Sequence, residues 1–141
     1  MWRTLIAALV LVACATPALH QFDDAISEIH GDFDGDRRRD VALMREDDEG
    51  VQWVVIVRAA DAATPIEVWG GDLASSPHFT ITTARPGTYH SACELYGGCP
   101  PEVPEQVTLM HDAILVREAH PHADILYYWN GTAFQSLPVA N

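Results

Sequence analysis

Short apolar runs, separated by turn-forming residues, recur along the chain after residue 40. They cover residues 41–44, 51–57, 66–69, 79–83, 106–110, 113–117, 124–129 and 133–137. Runs of this length, rich in β-branched and aromatic residues, predict β-strands. Many short strands at this spacing indicate an all-β, mostly antiparallel fold in a single compact domain.

The residues between the runs predict how the strands pair. Residues 47–50 predict the turn of a hairpin that joins strands 41–44 and 51–57, and the continuous apolar character of 51–57 predicts a strand covered on both faces. A second hairpin is expected around His111-Asp112, and a third at Asn130-Gly131, a strong hairpin signal. Residues 61–65 are predicted to be a loop, and residues 89–104 an irregular segment.

A different periodicity precedes the first predicted strand. Phe22, Ala25, Ile26 and Ile29 are spaced for one face of a short helix or turn. This element is expected to lead into an aspartate-rich loop, which enters the first strand.

Composition and charge restrict the classes of function. The chain has 141 residues, 48% of them hydrophobic, which is enough for one folded domain with a modest core. Its net charge is −12, and all eight cationic side chains are arginines. Because so acidic a chain offers no basic stripe, we expect no binding to nucleic acid.

The N-terminus has the pattern of a targeting segment. A short basic lead is followed by an apolar run over residues 5–13, too short to span a bilayer as a lasting helix. The run ends Leu-Val-Ala-Cys14, which resembles the bacterial lipobox Leu-x-(Ala/Gly)-Cys. The resemblance implies a signal peptide over residues 1–13, a lipidated Cys14 with a tether over 14–21, and a β-domain over 22–141.

A lipidated Cys14 would make the membrane itself a partner. Ala15 follows the cysteine, where many inner-membrane lipoproteins have Asp, so we expect a lipid-anchored protein of the outer membrane that faces the periplasm or the exterior. The alternative is ordinary secretion, with cleavage after Ala15 or Ala18.

Lipidation of Cys14 would leave Cys93 and Cys99 as a pair. Five residues separate them, including Gly97 and Gly98, and an oxidising compartment favours a disulfide between them. The alternative, that Cys99 is a catalytic nucleophile, lacks a visible histidine and carboxylate partner.

The densest candidate chemistry lies in the stretch Gly-Asp-Phe-Asp-Gly-Asp-Arg-Arg-Arg-Asp-Val of residues 31–41. Its residues 32–40, here called the aspartate loop, carry aspartates at positions 1, 3, 5 and 9. Clustered carboxylates repel one another unless a cation lies among them, and Ca²⁺ takes six to eight oxygens at about 2.3–2.6 Å. The spacing predicts a calcium site formed by the side chains of Asp32, Asp34, Asp36 and Asp40 and by the backbone carbonyl of Arg38.

This spacing resembles the Asp-x-Asp-x-Asp-Gly-x-x-Asp loop of the FG-GAP repeats in integrin α chains and related bacterial proteins. The resemblance implies a loop between two β-strands with a mainly structural metal. Leu43 at position 12 argues against an EF-hand or a dockerin loop, which need an acidic residue there. Arg37 occupies position 6, where glycine is usual because the turn favours positive φ, so calcium binding is expected at the weak end of the range.

Other interpretations of these residues stay open. The loop is alternatively a solvated acidic turn neutralised by its own three arginines, without metal. His120 and His122 are candidate zinc or copper ligands, or simply an exposed turn. The aromatic run 127–129 is expected to contribute to the core on one face and, alternatively, to stack on a glycan or a partner with the other.

We therefore expect a non-enzymatic, calcium-stabilised binding module for an envelope protein or a glycan. The runner-up is a small periplasmic lipoprotein that inhibits an enzyme through its Cys93–Cys99 loop, or an envelope hydrolase built on paired carboxylates. No single pair of carboxylates is favoured by the sequence.

Overall fold

The computed structural model describes residues 25–72, 79–93, 97–118 and 124–140. These residues form ten β-strands and contain no α-helix, which confirms the all-β, antiparallel prediction. The strands are β1 (Ala25–Gly31), β2 (Asp40–Glu46), β3 (Val51–Arg58), β4 (Asp61–Asp72), β5 (Phe79–Ala84), β6 (Gly87–His90), β7 (Gln106–Leu109), β8 (Ala113–Glu118), β9 (Asp124–Trp129) and β10 (Phe134–Val139).

The strands form two four-stranded sheets and a two-stranded ribbon. The first sheet has the order β1-β2-β3-β4, the second has the order β10-β9-β8-β5, and β6 pairs with β7. Every one of these pairings is antiparallel.

Alternation along the strands places apolar residues on both faces of the second sheet. Ile114 and Val116 of β8 belong to the main core, together with Val54 and Ile56 of the first sheet. The intervening Leu115 belongs to a second core, which the ribbon covers. The domain thus has three layers, with β8 in the middle layer, and burial of apolar surface on both sides of that layer drives its assembly.

Two predicted hairpins are confirmed. Strands β2 and β3 are joined by a turn in which Gly50 has φ 80° and its N–H donates to Asp47 O at 3.0 Å. Strands β9 and β10 are joined through Asn130, whose Oδ1 accepts the N–H groups of Thr132 and Ala133 at 2.9 Å each. The register pairs Trp129 with Phe134, so this connection is a four-residue turn rather than a two-residue one.

The prediction of a helix or turn over residues 22–30 is wrong for residues 25–30, the part of this segment that the structure describes. Residues from Ala25 onward form β1, which pairs with β2 from Ala25↔Arg45 to Gly31↔Asp40. A helix this short is marginal by itself, whereas a strand gains hydrogen bonds and side-chain contacts along a neighbouring strand. Ile29, which suggested a helical face, instead packs against the main core.

Three further predictions are corrected. Strands β7 and β8 do not form a hairpin, because β7 pairs with β6 while β8, buried on both faces, pairs with β5 and β9. Residues 61–65 belong to β4, which is an edge strand among the described strands and tolerates Pro65 because none of them pairs with its outer side. In β3 buried and half-buried residues alternate, so only one face is fully covered.

Several predictions concern residues outside the described part of the chain. These are the signal peptide, the tether with its lipidated Cys14, and the two histidines His120 and His122. Within the described residues, no helix has the length and apolar character needed to cross a membrane.

Candidate metal site

The aspartate loop connects β1 to β2, so it enters the second strand and not, as was predicted, the first, because residues 25–31 already form a strand. The pair Gly31↔Asp40 closes its base, so its two ends are held at the spacing of neighbouring strands. Phe33 lies fully buried in the main core, which anchors one side of the loop between the sheets. Gly31 is needed beneath it, because a Cβ there would lie 2.7 Å from the Phe33 ring.

Asp40 at the end of the loop is fully buried and ties three segments together. Its Oδ2 accepts the N–H of Phe33 at 2.9 Å, and its Oδ1 accepts the N–H of Ala59 at 2.8 Å. Burial raises the pKa of this carboxyl; the N–H donors of Ala59 and Phe33 oppose the rise, and the charge of Asp34 adds to it. A nearby cation would lower the pKa of Asp40 and favour the ionised carboxylate.

Three of the predicted carboxylates converge. Asp32, Asp34 and Asp40 each place one oxygen so that all three lie within 4.8 Å of one another. The side chain of Asp34 is only 6% exposed, and its Oδ1 accepts the N–H of Asp36 at 3.1 Å. Asp32 uses Oδ2 to accept the N–H of Arg37 at 3.1 Å, while its Oδ1 is buried without a hydrogen-bond partner. We refer to these residues as the three-carboxylate group.

Two residues with positive φ shape the tight turn. Gly35 has φ 77° and Arg37 has φ 68°, so the turn at position 6 does adopt the conformation that glycine favours. Gly35 also packs closely against His111, since a Cβ on it would lie 2.8 Å from Cδ2 of the imidazole. The loop is therefore constrained both by its backbone and by the neighbouring connection.

Asp36 and Arg38, the other predicted ligands, lie on the exposed side of the loop. Asp36 Oδ1 accepts the N–H of Arg38 at 2.7 Å, and this side chain is 28% exposed. Its carboxylate is not a member of the three-carboxylate group. Its hydrogen bond fixes the backbone that carries the Arg38 carbonyl.

Two side chains at the site come from elsewhere in the chain, and no sequence pattern assigns them to it. Asp112, in the connection from β7 to β8, accepts the N–H of Asp32 on its Oδ2 at 3.3 Å. Arg58, at the end of β3, lies 3.9 Å from Asp34 Oδ2 and also packs over the Trp129 ring. His111-Asp112 was visible only as a local pair, and no local spacing links it to a loop some eighty residues earlier.

The predicted disulfide is not formed in the structure. Cys93 and Cys99 are both thiols, and both sulfur atoms are directed at the hydroxyl of Ser91. Cys93 Sγ is in close contact with Ser91 Oγ, and Cys99 Sγ donates to the same oxygen at 3.7 Å. The glycines do close the segment, since Gly98 N–H donates to Cys93 O at 3.1 Å.

The aromatic run on β9 alternates between the two faces of its sheet: Tyr127 and Trp129 lie on one face, and Tyr128 packs against the second core on the other. Tyr127 lies in the main core, where burial raises the pKa of its hydroxyl to about 12. Trp129 is half-buried and meets the Phe134 ring edge-on at a centroid distance of 5.0 Å. The core contribution expected from this run is confirmed.

Comparison with known proteins assigns no family. No protein-family model, no curated protein and no solved structure matches the chain. The inference about this site therefore rests on its own geometry and chemistry.

Proposed function

We propose that this protein is a calcium-stabilised, non-enzymatic β-domain of a bacterial envelope, held at the membrane by a lipidated Cys14. Its role would be to bind an envelope protein or a glycan. The observation that carries the proposal is the convergence of Asp32, Asp34 and Asp40 in a loop that enters a core strand.

The separation of the oxygens suits a single hard cation. Ligands at about 2.3–2.6 Å from one ion can lie no farther apart than about 5 Å, and the three carboxylate oxygens lie within 4.8 Å of one another. Carboxylate and carbonyl oxygens favour Ca²⁺ over thiolate- and imidazole-seeking metals. Asp32, Asp34 and Asp40 would hold the ion, with the Arg38 carbonyl as a further ligand.

The arginines of the loop do not supply the missing positive charge. Within the described part of the chain, Arg37 and Arg39 form no ion pair. Arg38 lies 3.9 Å from Asp36, outside the three-carboxylate group, and Arg58 reaches Asp34 only at 3.9 Å. With Asp32 Oδ1 buried and unpartnered, the group keeps a negative charge that a bound cation would neutralise.

Bound calcium would stabilise the fold by linking β1, the loop and β2. A ligand that binds only the native state adds about 2.7 kcal/mol at a hundredfold excess over its Kd. Related extracellular sites bind as weakly as about 10⁻⁴–10⁻³ M, so millimolar calcium is the range in which to measure.

Thermal unfolding and calorimetry test this part of the proposal. Calcium should raise the Tm of the purified protein, and Asp34→Asn should remove most of that rise because it deletes a charge inside the three-carboxylate group. Asp36→Asn should keep more of the rise, and the exposed Asp48→Asn is the matched control. If millimolar calcium gives neither heat nor a Tm change, or if Asp48→Asn loses as much as Asp34→Asn, the calcium proposal is wrong.

The anchor is tested separately. Cys14→Ser should move the protein from the membrane fraction to the soluble fraction without changing its response to calcium. Continued membrane association of this variant would contradict the lipid anchor.

A further inference from the structure

Half of the arginines of this acidic protein line one hollow. Arg37, Arg38 and Arg39 of the aspartate loop and Arg85 of the β5–β6 connection surround an open cavity of about 420 Å³. Asp32 and Asp112 also line it, so four cationic side chains face two carboxylates. We call this cavity the arginine hollow. It is a local positive excess on a chain whose net charge is −12.

The two carboxylates already have partners within the protein. Asp112 accepts the N–H of Asp32 on one oxygen and lies 3.4 Å from Arg85 Nη1 with the other. Asp32 accepts the N–H of Arg37. Each carboxylate therefore uses part of its acceptor capacity on the backbone, and two negative charges leave the four guanidinium groups of the hollow incompletely neutralised.

The arginines are exposed and available to a ligand. The three loop arginines are exposed, and Arg85 is 78% exposed even though it pairs with Asp112. An ion pair that exposed contributes little, so Arg85 can give it up at small cost. Among the described residues, the side chains of Arg37 and Arg39 form no ion pair. With four guanidinium groups and two carboxylates around one cavity, a net positive charge remains, and an anion bound between the arginines would offset it.

From this geometry we propose that the arginine hollow binds a phosphate- or sulfate-type oxyanion. A guanidinium group presents paired N–H donors that match two oxygens of a tetrahedral anion, and such charge-assisted pairs are the stronger hydrogen bonds. The volume falls in the range of about 300–1,000 Å³ that small-ligand sites occupy, so an organic group attached to the anion also fits. The ligand can be a free phosphate compound or an anionic lipid headgroup.

The proposal does not depend on calcium. It uses the side chains of the three loop arginines and of Arg85, whereas the calcium proposal uses three aspartates and the backbone carbonyl of Arg38. Measurements in chelator therefore test the oxyanion site whether or not the calcium proposal is correct.

The test is a titration of the purified protein in chelator at low ionic strength, followed by the NMR signals of the arginine side chains. Inorganic sulfate should give saturable shifts at the arginines of the hollow. Arg39→Gln and Arg85→Gln should each weaken binding about tenfold, since each removes a charge-assisted contact. Arg117→Gln, which removes the same charge on β8 outside the hollow, should leave the affinity within about twofold.

Two further probes identify the source of the ligand. Glycerol phosphate represents free phosphate monoesters, and glycerophosphoglycerol represents the diester headgroup of an anionic lipid. Tighter binding of either one than of sulfate supports the proposal and names the source. Shifts that do not saturate, or equal weakening by Arg39→Gln and Arg117→Gln, would overturn it, because attraction would then be nonspecific.

Discussion

Arg37 is the residue at which the two proposed sites meet. It occupies a left-handed conformation, with φ 68°, that costs an L-residue roughly 1–2 kcal/mol relative to its preferred regions. Its N–H donates to a member of the three-carboxylate group, and its side chain lines the arginine hollow. A glycine would form the turn more easily, so the strain is consistent with a use for the guanidinium group.

Arg37→Gly should move the two affinities in opposite directions. Calcium should bind more tightly, because glycine adopts positive φ without strain and a repelling charge is lost. Sulfate should bind more weakly, because one guanidinium group is gone. Arg38→Gly removes the same charge at a position whose φ is not positive, and it should improve calcium binding less. Calorimetry with each ligand measures both effects; unchanged calcium affinity in Arg37→Gly would refute the need for positive φ.

A second residue makes stability depend on pH. Asp124 is buried at the start of β9, and burial raises its pKa above 3.8 while Arg117, with Nε at 3.2 Å, lowers it. The folded state thus holds this proton more tightly than the unfolded chain. Its stabilising contribution is complete below pH 3.8 and is lost as pH rises through the folded-state pKa.

Asp124→Asn keeps the side chain neutral and should not show that loss. As pH rises above 3.8, the free energy of unfolding of the native protein should fall relative to that of Asp124→Asn, until Asp124 is ionised in the folded state. Arg117→Gln removes the cation that lowers the pKa, so in that background the fall should extend to higher pH. Denaturant unfolding at several pH values gives the comparison, and a constant difference between the two proteins would contradict a raised pKa of Asp124 in the folded state.

At the scale of elements, the aspartate loop is held from three directions. The β1–β2 register fixes its base, Asp40 ties it to the N–H of Ala59 after β3, and His111 from the β7–β8 connection packs on its tip. The second and third of these contacts come from outside the hairpin. The loop therefore depends on the packing of both sheets, not only on its own sequence.

Gly35→Ala tests the contact between the loop and the β7–β8 connection. The new methyl group would meet the His111 ring at 2.8 Å in addition to the strain of φ 77°, so we expect a loss of about 1–3 kcal/mol and weaker calcium binding. Gly131→Ala is the matched control, because that glycine also has positive φ but nothing lies within 4 Å of a Cβ there. Adding His111→Ala should recover part of the loss in Gly35→Ala; no recovery would mean that backbone strain alone is responsible.

The predictions that held are those carried by local signals. Strand-forming runs located most strands, and the turns at Gly50 and Asn130 paired two hairpins. Spacing within nine residues also anticipated that Asp32, Asp34 and Asp40 lie close together, while their binding of calcium stays a prediction. Pairing between strands distant in the sequence could not be predicted from local patterns. Strand β8 lies inside a sheet, between β5 and β9, because both of its faces are buried, and it therefore does not pair with β7. For the same reason Asp112, which reaches the loop only through that arrangement, could not be assigned to it.

At the scale of the whole molecule, charge is distributed unevenly. Twenty acidic residues outnumber eight arginines, yet four of the arginines face one hollow beside the densest group of carboxylates. Asp32 belongs to both sites: one of its oxygens is part of the three-carboxylate group, and the residue also lines the arginine hollow. A cation bound by the carboxylates would therefore change the potential that an anion meets in the hollow.

If both proposals hold, calcium and the oxyanion should bind with positive coupling. A divalent charge shared with Asp32 cancels one of the two carboxylates that oppose the anion, so sulfate should bind about fivefold more tightly in saturating calcium than in chelator. Linkage requires sulfate to tighten calcium binding by the same factor, which calorimetric titrations in both orders can compare. The exposed position of the arginines keeps the effect small and makes it decline with added salt.

Asp34→Asn, which removes a carboxylate that does not line the hollow, should abolish the coupling while leaving sulfate binding in chelator intact. Independent binding in the native protein would show that the two sites share a residue without sharing their charge.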